Sequence, residues 1–320
     1  MTRATAACVS WVVGPNDGRS VGAILVKLGD AAVAAVPDGR VFVDGRRAAS
    51  AADRVRLGEC VQVFAPRSAG GAPEVIAERE GVLAVMKPAG LSTEPDRRGR
   101  AGSLTYAVAD ALGVSPTSLH ACTRLDLGVS GVVLLARTAG ARRVVVAAQR
   151  RGRVVRRYVA IAACPPAEPR GVWTAPLPGR RGRASAARGR SRPAETRFAC
   201  VATADAATAE CRVAAEDARP TLLALEPATG RLHQIRAHAS AAGAPLLGDR
   251  RYAGPTRVIH KSGQTATLDR IALHAAHVRV GLARGEWRVG APVPAALIEL
   301  WNQLGGTSED FSRALDGGRL

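Results

Sequence analysis

The chain has 320 residues, a length that fits two domains of average size. Its hydrophobic fraction of 47% supports a normal core and excludes a wholly disordered chain. The 45 Lys and Arg residues outnumber the 27 Asp and Glu residues, which gives a net charge of +18. Such a surface favours a polyanionic partner, because each neutralised phosphate releases bound counterions. A GC-rich genome explains arginine in place of lysine, but not the excess of basic over acidic residues.

The sequence carries no sign of a membrane segment or a metal site. No apolar run approaches the roughly 18 residues that a membrane-spanning helix needs. None of the six cysteines stands at the Cys-x-x-Cys spacing of a zinc ribbon. The first residues lack the basic and apolar regions of a secretory signal. We therefore expect a cytoplasmic protein with reduced thiols, no bound metal and no membrane contact.

Residues 1–66 are predicted to form a small α/β unit. The apolar stretch 21–36 has helical spacing, and Pro37 follows it as a helix breaker. Two short strands are predicted at 41–43 and 60–64, each next to a turn that contains glycine. A helix followed by RVFVDGRRA and DRVRLGECVQVF resembles the S4 RNA-binding domain. The alternative is an unrelated small α/β unit.

Residues 67–74 are predicted to be a linker, and residues 75–304 to be a second, larger domain. Two strands of a hairpin are predicted at 75–78 and 82–86, where apolar residues flank a short turn. The strongly apolar run Gly131–Ala136 is typical of a buried central strand.

Two segments are predicted to be irregular, one within this domain and one in the tail that follows it. Residues 178–193 read PGRRGRASAARGRSRP, with six Arg residues and no acidic residue. This basic loop can contact phosphates, or it can be a solvated charge run without a specific role. The tail over 305–320 is polar, contains glycine and is predicted to be flexible.

An acidic residue stands just before the predicted central strand. The segment reads Thr-Arg-Leu-Asp over 123–126, and a glycine-containing turn follows it. This order places Asp126 on a loop at the mouth of a rigid sheet, where catalytic groups are common. Taken alone, the pattern is more typical of an aspartate that caps a turn.

The segment Glu226–His238 is dense in polar side chains. A Thr-Gly pair predicts a turn, and the apolar spacing after it predicts the start of a helix. Arg236 lies beyond the turn and can reach a neighbouring acid. His233 and His238 are five positions apart, which does not place both on one helical face, so a metal site is not expected.

Together these segments resemble the RluA-type family of pseudouridine synthases. The family's active-site motif reads H-R-L-D-x-x-T-S-G, and residues 124–126 and 130–131 match it. The later motif T-G-R-x-H-Q-I-R-x-H is matched throughout 229–238. The resemblance covers residues ~75 to ~300. Four further segments resemble other motifs of the family and follow in the expected order, namely Leu83–Gly90, the sequence RRYVAIA around Tyr158, Leu247–Tyr252 and Leu273–Ala275.

The resemblance implies an α+β fold with a large, mainly antiparallel or mixed sheet and flanking helices. It implies an isomerase that detaches uracil from C1′ of the ribose, rotates it and rejoins it through C5. No redox change occurs and no atom is transferred, so neither a cofactor nor a metal is expected. The expected partner is RNA, and the S4-like unit favours ribosomal RNA over tRNA. We expect the chain to be a monomer.

The resemblance also implies roles for single residues. Asp126 would be the essential carboxylate, acting either as a nucleophile or as a base. Arg236 would pair with Asp126 and orient it, and Tyr158 would stack on the uracil. Structural alternatives remain, namely ion pairs for Arg124 and Arg231 and core packing for Tyr158. The residues expected to contact the substrate are Arg124, Arg231, His233 and Gln234.

The chain departs from the family pattern near the carboxylate. Thr123 replaces the usual His, Val129 replaces the usual Thr, and Glu94 stands at an earlier position that is usually His. These departures motivate an alternative, a non-catalytic RNA-binding paralogue that acts in ribosome assembly. A DNA-binding regulator would rest on charge alone, because no helix-turn-helix signal is present.

Overall fold

The computed structural model describes residues 2–5, 8–37, 39–64, 73–95, 103–178, 191–316 and 320. Most of the predicted linker, residues 67–72, lies outside the described residues. The same holds for residues 179–190 of the predicted basic loop.

The N-terminal unit is a small sheet with a helix packed against it. Its elements are β1 (Thr2–Thr5), β2 (Cys8–Val12), α1 (Val21–Leu28), α2 (Asp30–Val33), β3 (Val41–Val43), β4 (Arg46–Arg47) and β5 (Cys60–Phe64). In the described part of this unit the strands pair antiparallel in the order β1-β2-β5-β3-β4. Ser20 caps α1, and Ile24 and Leu25 on this helix are fully buried in an apolar cluster.

The helix predicted over 21–36 is interrupted. Gly29 follows α1 with φ 96°, in the left-handed region that favours glycine, and the backbone leaves the helix there. A short second helix, α2, follows, and the chain then continues in turns. The prediction of one continuous helix is therefore wrong, because apolar spacing does not register the conformation of a single glycine.

The larger domain contains the remaining elements. The strands are β6 (Glu74–Arg79), β7 (Val82–Lys87), β8 (His120–Ala121), β9 (Ser130–Ala136), β10 (Val154–Ala162), β11 (Arg170–Trp173), β12 (Leu177–Pro178), β13 (Ser191–Arg192), β14 (Thr196–Thr203), β15 (Cys211–Val213), β16 (Thr221–Pro227), β17 (Arg257–His260), β18 (Thr265–Thr267), β19 (Leu273–Leu282) and β20 (Gly285–Gly290). The helices are α3 (Leu104–Ala111), α4 (Ala139–Arg150), α5 (Gln234–Ala241), α6 (Ala295–Gln303) and α7 (Ser308–Asp316).

A large mixed sheet is the centre of this domain. Among the described residues it comprises ten strands, in the order β11-β14-β16-β10-β19-β9-β7-β6, with β20 paired to β19 and β8 paired to β9. The predicted hairpin is formed by β6 and β7, and the predicted central strand is β9, all of whose residues are buried. The predicted α+β class with a large mixed sheet and flanking helices is confirmed.

The junction between β9 and β19 differs from the rest of this sheet. The described residues pair in parallel there, Ser130 with His274 and Gly131 with Ala275, whereas their other recorded pairs in the sheet are antiparallel. Gly131 has φ 123°, and a Cβ atom on it would lie 2.2 Å from the carbonyl oxygen of Ala275. A side chain at this position would push the two strands apart. The loop that carries Asp126 leads directly into this junction.

The C-terminal segment is folded rather than flexible. Phe311 and Ala314 on α7 are buried against the sheet. The indole Nε1 of Trp301 donates a hydrogen bond of 2.8 Å to the carboxylate of Asp310. The prediction of a flexible tail over 305–320 is therefore wrong for α7, because two apolar side chains and one buried hydrogen bond fix this helix to the core.

Candidate active site

A cavity of about 630 Å³ lies where the Asp126 loop, β10 and the start of α5 meet. Asp126 and Arg236 are 110 positions apart in the chain, and the fold brings both to this cavity. All the site residues predicted from the sequence line it, namely Arg124, Asp126, Tyr158, Arg231, His233, Gln234 and Arg236.

Buried polar side chains hold the loop that carries Asp126. The hydroxyl of Thr93 accepts a hydrogen bond from the backbone N–H of Leu125 at 3.2 Å and donates one to its carbonyl oxygen at 3.1 Å. The fully buried ammonium group of Lys87 donates to the carbonyl oxygen of Leu127 at 3.4 Å. The Asp126 side chain therefore projects from a backbone that is fixed on both sides.

The two departures from the family pattern next to Asp126 belong to the packing of this loop. Thr123 is buried, and its hydroxyl accepts a hydrogen bond of 2.8 Å from the backbone N–H of Leu134. Val129 is 2% exposed and packs in an apolar cluster with Tyr158. Both side chains thus support the loop and leave the carboxylate in place.

Arg236 connects two carboxylates. Its Nη1 donates to Oδ2 of Asp126 at 2.8 Å, and its Nε and Nη2 donate to the two oxygens of Asp249 at 2.6 and 2.8 Å. Burial lowers the pKa of Arg236, but the hydrogen bonds to Asp249 and Asp126 outweigh it and raise the pKa above its ordinary value. The guanidinium is therefore permanently charged and orients Asp126.

Asp249 is a site residue to which the sequence analysis assigned no role. Its side chain is 1% exposed, so a partner must neutralise its charge, and Arg236 does so with a bidentate pair. This leaves one edge of the guanidinium for Asp126. The available sequence signal was the place of Asp249 in the family-like segment Leu247–Tyr252, which does not itself predict the pairing with Arg236.

His233 has an unusual backbone conformation at the start of α5. Its φ is 53°, which turns the ring toward the cavity, and its Nε2 lies 4.0 Å from Oδ1 of Asp126. Its Nδ1 is 3.2 Å from the hydroxyl of Tyr252, whose ring also lies against the guanidinium of Arg236. Burial lowers the pKa of His233, and the charges of Arg236 and Arg251 lower it further against the opposing effect of Asp126. The imidazole is therefore neutral near pH 7.

Tyr158 lies on β10 with its ring at the wall of the cavity. It is 6% exposed, and burial raises the pKa of its hydroxyl while Arg156 opposes this rise. Tyr158 packs in the core, as in the structural alternative, and it also borders the cavity, so stacking on the uracil stays a prediction.

Arg156 was missed by sequence reasoning, although it also lines the cavity. Its Nη2 donates to the carbonyl oxygen of Thr229 at 2.9 Å and to that of Pro227 at 3.4 Å. Its buried Nε has no hydrogen-bond partner among the described atoms. Arg156 therefore holds the turn before α5.

The prediction that Gln234 contacts the substrate is replaced by a positioning role. Its amide oxygen accepts from the hydroxyl of Thr229 at 2.6 Å and from the backbone N–H of Arg231 at 3.0 Å. Its amide nitrogen donates to the carbonyl oxygen of Glu195 at 2.8 Å and to the hydroxyl of Thr196 at 3.0 Å. These bonds use both donors and both acceptor positions of the amide, so none remains for a ligand.

Arg124 and Arg231 lie at the rim of the cavity. Arg124 is half exposed and forms an ion pair with Glu94, as in the structural alternative. Arg231 donates from Nε to the carbonyl oxygen of Pro193, at the end of the predicted basic loop. Both guanidinium groups keep further donors that point to solvent or to a ligand, since each has five N–H donors.

The described residues hold no group of three or more His, Cys, Asp and Glu side chains that could bind a metal ion. Among the same residues there is no helix with the length and apolar character needed to cross a membrane.

Comparisons with known proteins agree with this geometry. The family model described as RNA pseudouridylate synthase matches residues 81–241, half of the chain. A Bacillus subtilis relative, the uncharacterized RNA pseudouridine synthase YjbO, is 31% identical over 71% of this chain and 75% of its own length. The ribosomal large subunit pseudouridine synthase D of Yersinia pestis is 29% identical over 87% of both chains.

Two further matches extend the comparison to structure and to a second named activity. The dual-specificity RNA pseudouridine synthase RluA of Escherichia coli is 30% identical over 63% of this chain and 83% of its own length. The structure of human RNA pseudouridylate synthase domain containing 1 shares the fold, with a TM-score of 0.56 and 21% identity over 79% of this chain and 98% of the human chain. The chain therefore belongs to the RluA-type RNA pseudouridylate synthase family, and it is an isomerase that acts on RNA.

Proposed function

We propose that this isomerase converts uridine to pseudouridine in ribosomal RNA, and that Asp126 is the carboxylate on which the reaction depends. The observation that carries the proposal is the hydrogen bond of 2.8 Å from Arg236 to Asp126 inside the cavity. It leaves Oδ1 of Asp126 directed toward the same space that the ring of Tyr158 borders. Ribosomal RNA is the proposed substrate because the Yersinia pestis relative, which aligns with 87% of this chain, is named for the large ribosomal subunit.

The reaction requires one bond to break and another to form on the same sugar. The C1′–N1 bond breaks, the uracil turns, C5 bonds to C1′, and the proton on C5 moves to the solvent while N1 gains one. Asp126 either attacks the nucleotide or removes a ribose proton. Arg236 fixes the carboxylate in the orientation that either role requires, and Tyr158 offers a face on which the uracil stacks.

The target base must leave the RNA stack to reach the cavity, at a cost of a few kcal/mol. The rim residues Arg124 and Arg231 offset part of this cost by binding the phosphates on either side of the flipped nucleotide. Arg156 also lines the cavity, where its positive charge favours an anionic substrate. Unpaired loops of ribosomal RNA suit this site, because their bases are already unstacked in part.

The N-terminal unit is the second part of the proposal. We infer that it acts as an S4-like RNA-binding domain that adds affinity outside the cavity. Arg19, Arg54 and Arg56 are exposed on it, and the bridge between Ser20 and Arg54 brings their two segments together. Exposed arginines grouped in this way are typical of a surface that binds phosphates.

The test is tritium release from C5-labelled uridine in ribosomal RNA and tRNA transcripts. We expect Asp126→Asn and Asp126→Ala to lose turnover by about 10³-fold or more, because no second carboxylate lines the cavity among the described residues. The dissociation constant for RNA should stay within about threefold of wild type, since binding depends mainly on phosphate contacts. Asp110→Asn is the matched control, because this aspartate is exposed on α3.

Each outcome bears on a different part of the proposal. Release from ribosomal RNA that is lost in the Asp126 variants would support both the substrate class and the carboxylate. Turnover that survives in Asp126→Ala would refute the role of Asp126. Intact RNA binding with no release from any transcript would favour the non-catalytic paralogue.

A further inference from the structure

A second cavity, of about 360 Å³, lies next to the active-site cavity. Its volume falls at the lower end of the roughly 300–1,000 Å³ that small-molecule sites occupy, enough for one nucleobase. Tyr106 on α3, His120 on β8 and Arg142 on α4 line it together with Glu94. An aromatic ring, an imidazole, a guanidinium and a carboxylate thus face one concave space.

One stretch of chain and one helix connect the two cavities. His120 lines the second cavity, and the residues that follow it, from Cys122 to Asp126, line the first. On α4, Arg142 borders the second cavity and Gln149 borders the first. These positions are seven apart and therefore share one helical face about 10 Å long. The amide of Gln149 donates to the carbonyl oxygen of Cys122 at 3.1 Å and fixes the helix to this stretch.

An ion pair forms the boundary between the cavities. Arg124 lines the first cavity, Glu94 lines the second, and their side chains are paired. Position 94 is one where the family pattern usually has His, so this pair is a property of the present chain. A carboxylate has about four acceptor positions, so pairing with Arg124 leaves capacity to accept from an exocyclic amino group.

We propose that the second cavity binds the base of a nucleotide that flanks the target uridine. The base stacks on Tyr106, Arg142 holds the phosphate beside it, and Glu94 favours a base with an exocyclic amino group. Unpaired RNA bases are commonly held by stacking on aromatic side chains together with a cationic contact to the backbone. The proposal rests on the proposed function, because it takes RNA as the substrate of the first cavity.

The experiment compares four variants of the full chain on a C5-tritiated transcript of large-subunit ribosomal RNA. Tyr106→Leu removes the stacking face, Tyr106→Phe keeps it, and Arg142→Gln removes the cation. The matched control is Arg143→Gln, because Arg143 is exposed beside Arg142 on α4 but is not among the described residues that line either cavity. The dissociation constant from filter binding is measured beside kcat and KM from tritium release.

We expect Tyr106→Leu to raise the dissociation constant and KM by roughly 5- to 150-fold, the effect of losing one stacked base. The value of kcat should stay within about twofold of wild type, because the lost contact is made before the chemical step. Tyr106→Phe and Arg143→Gln should bind RNA as wild type does. An abasic nucleotide beside the modified uridine should weaken wild type but not Tyr106→Leu, since both changes remove the same stack.

The proposal would be overturned if Tyr106→Leu and Arg142→Gln both bound RNA with the dissociation constant of wild type. If circular dichroism shows that Tyr106→Leu is unfolded, Arg142→Gln decides, because Arg142 is exposed and its replacement should lower the salt slope of binding by about 0.7. An absence of tritium release by wild type would count against the proposed function instead. The dissociation constants would still decide whether the flanking nucleotide is bound.

Discussion

Ser130 and His274 form a buried polar pair directly behind the Asp126 loop. The hydroxyl of Ser130 lies 2.8 Å from Nδ1 of His274, and Nη2 of Arg270 donates to this hydroxyl at 2.7 Å. The Nε2 of His274 faces the carbonyl oxygen of Ala291 at 3.4 Å, and a carbonyl oxygen can only accept, so the neutral imidazole carries its proton on Nε2 and Nδ1 accepts from the hydroxyl of Ser130. Burial lowers the pKa of His274 to about 4, with a smaller contribution from the charge of Arg270.

This pair predicts a loss of stability in acid. Between pH 6.5 and about 4 the unfolded chain binds a proton at His274 that the folded chain does not, so unfolding becomes more favourable as the pH falls. The full effect is about 3 kcal/mol, because each pKa unit corresponds to about 1.4 kcal/mol. Urea unfolding of wild type and His274→Asn across this range is the measurement, and the variant should lack this part of the pH dependence.

The control is His260→Asn on β17, where the ring is only partly buried. Its unfolding is measured over the same pH range, so that effects common to any replacement of a histidine can be subtracted. If the free energy of unfolding depends on pH in the same way in wild type and in His274→Asn, the imidazole is not held neutral in the folded protein.

Single residues also show how far sequence reasoning reaches into the site. The pairing of Arg236 with Asp126 follows from the two motifs, because their resemblance to one family places both in one cavity. The second partner, Asp249, does not follow, since it stands 13 positions after Arg236 with no local spacing that brings them together. The positioning role of Gln234 was missed because its four hydrogen-bond partners come from two separate parts of the chain, residues 195–196 and 229–231.

At the scale of elements, neighbouring side chains of β10 lie on opposite faces of the sheet. A bulge between Arg157 and Tyr158 shifts the register against β19, and the two side chains contact different layers. Tyr158 borders the cavity, whereas Nε and Nη2 of Arg157 donate to Glu226 at 2.9 and 2.7 Å. The Nη1 of Arg157 donates to the carbonyl oxygen of Ala314 on α7 at 3.0 Å. This buried pair therefore joins β10, β16 and α7.

Replacing one partner of this pair should be costly. Arg157→Met leaves the carboxylate of Glu226 buried without its cation, so we expect a loss of about 3–5 kcal/mol in the free energy of unfolding. The double variant Arg157→Met with Glu226→Leu should recover most of that loss, because no charge then remains buried. Urea unfolding of the two single variants and the double variant measures the coupling between them.

A double variant that is as unstable as the sum of the single variants would contradict this account. It would mean that Arg157 and Glu226 stabilise the protein separately, through packing or through α7, and not as an ion pair. Arg197→Met is a suitable control, because its pair with Glu195 is partly exposed and contributes little.

The elements also differ in how well the sequence predicts them. The strand β9 is predictable because its run of apolar residues fits a fully buried strand. The helix α7 is not, because its sequence SEDFSRALD is mostly polar and buries a single face through Phe311 and Ala314. Its position depends on Asp310, a buried carboxylate that accepts from the indole of Trp301, the backbone N–H of Thr307 and the guanidinium of Arg313.

For the whole molecule, the net charge of +18 sets the strength and the salt dependence of RNA binding. If the N-terminal unit binds phosphates, Arg19→Gln with Arg54→Gln should weaken RNA binding and leave kcat at saturating RNA unchanged. Each lost phosphate contact should reduce the slope of log Kd against log salt by about 0.7–0.9. Filter binding at several salt concentrations measures this slope.

The matched control at this scale is a pair of arginines in the larger domain, Arg279→Gln with Arg288→Gln, on the paired strands β19 and β20. An unchanged slope in the Arg19 and Arg54 variant would mean that the N-terminal unit does not contact RNA phosphates. The likeness of this unit to an S4 domain would then concern its sequence pattern alone.

The parallel junction of β9 and β19 has a consequence for how the site comes into being. Asp126 belongs to the portion of the chain before Gly152, whereas Tyr158, Arg236 and Asp249 all follow that exposed turn. Across the junction the described strands share the pairs Ser130 with His274 and Gly131 with Ala275. Two fragments separated at the turn would each hold one partner of the pair between Asp126 and Arg236, and turnover of RNA would report their reassociation as a split enzyme.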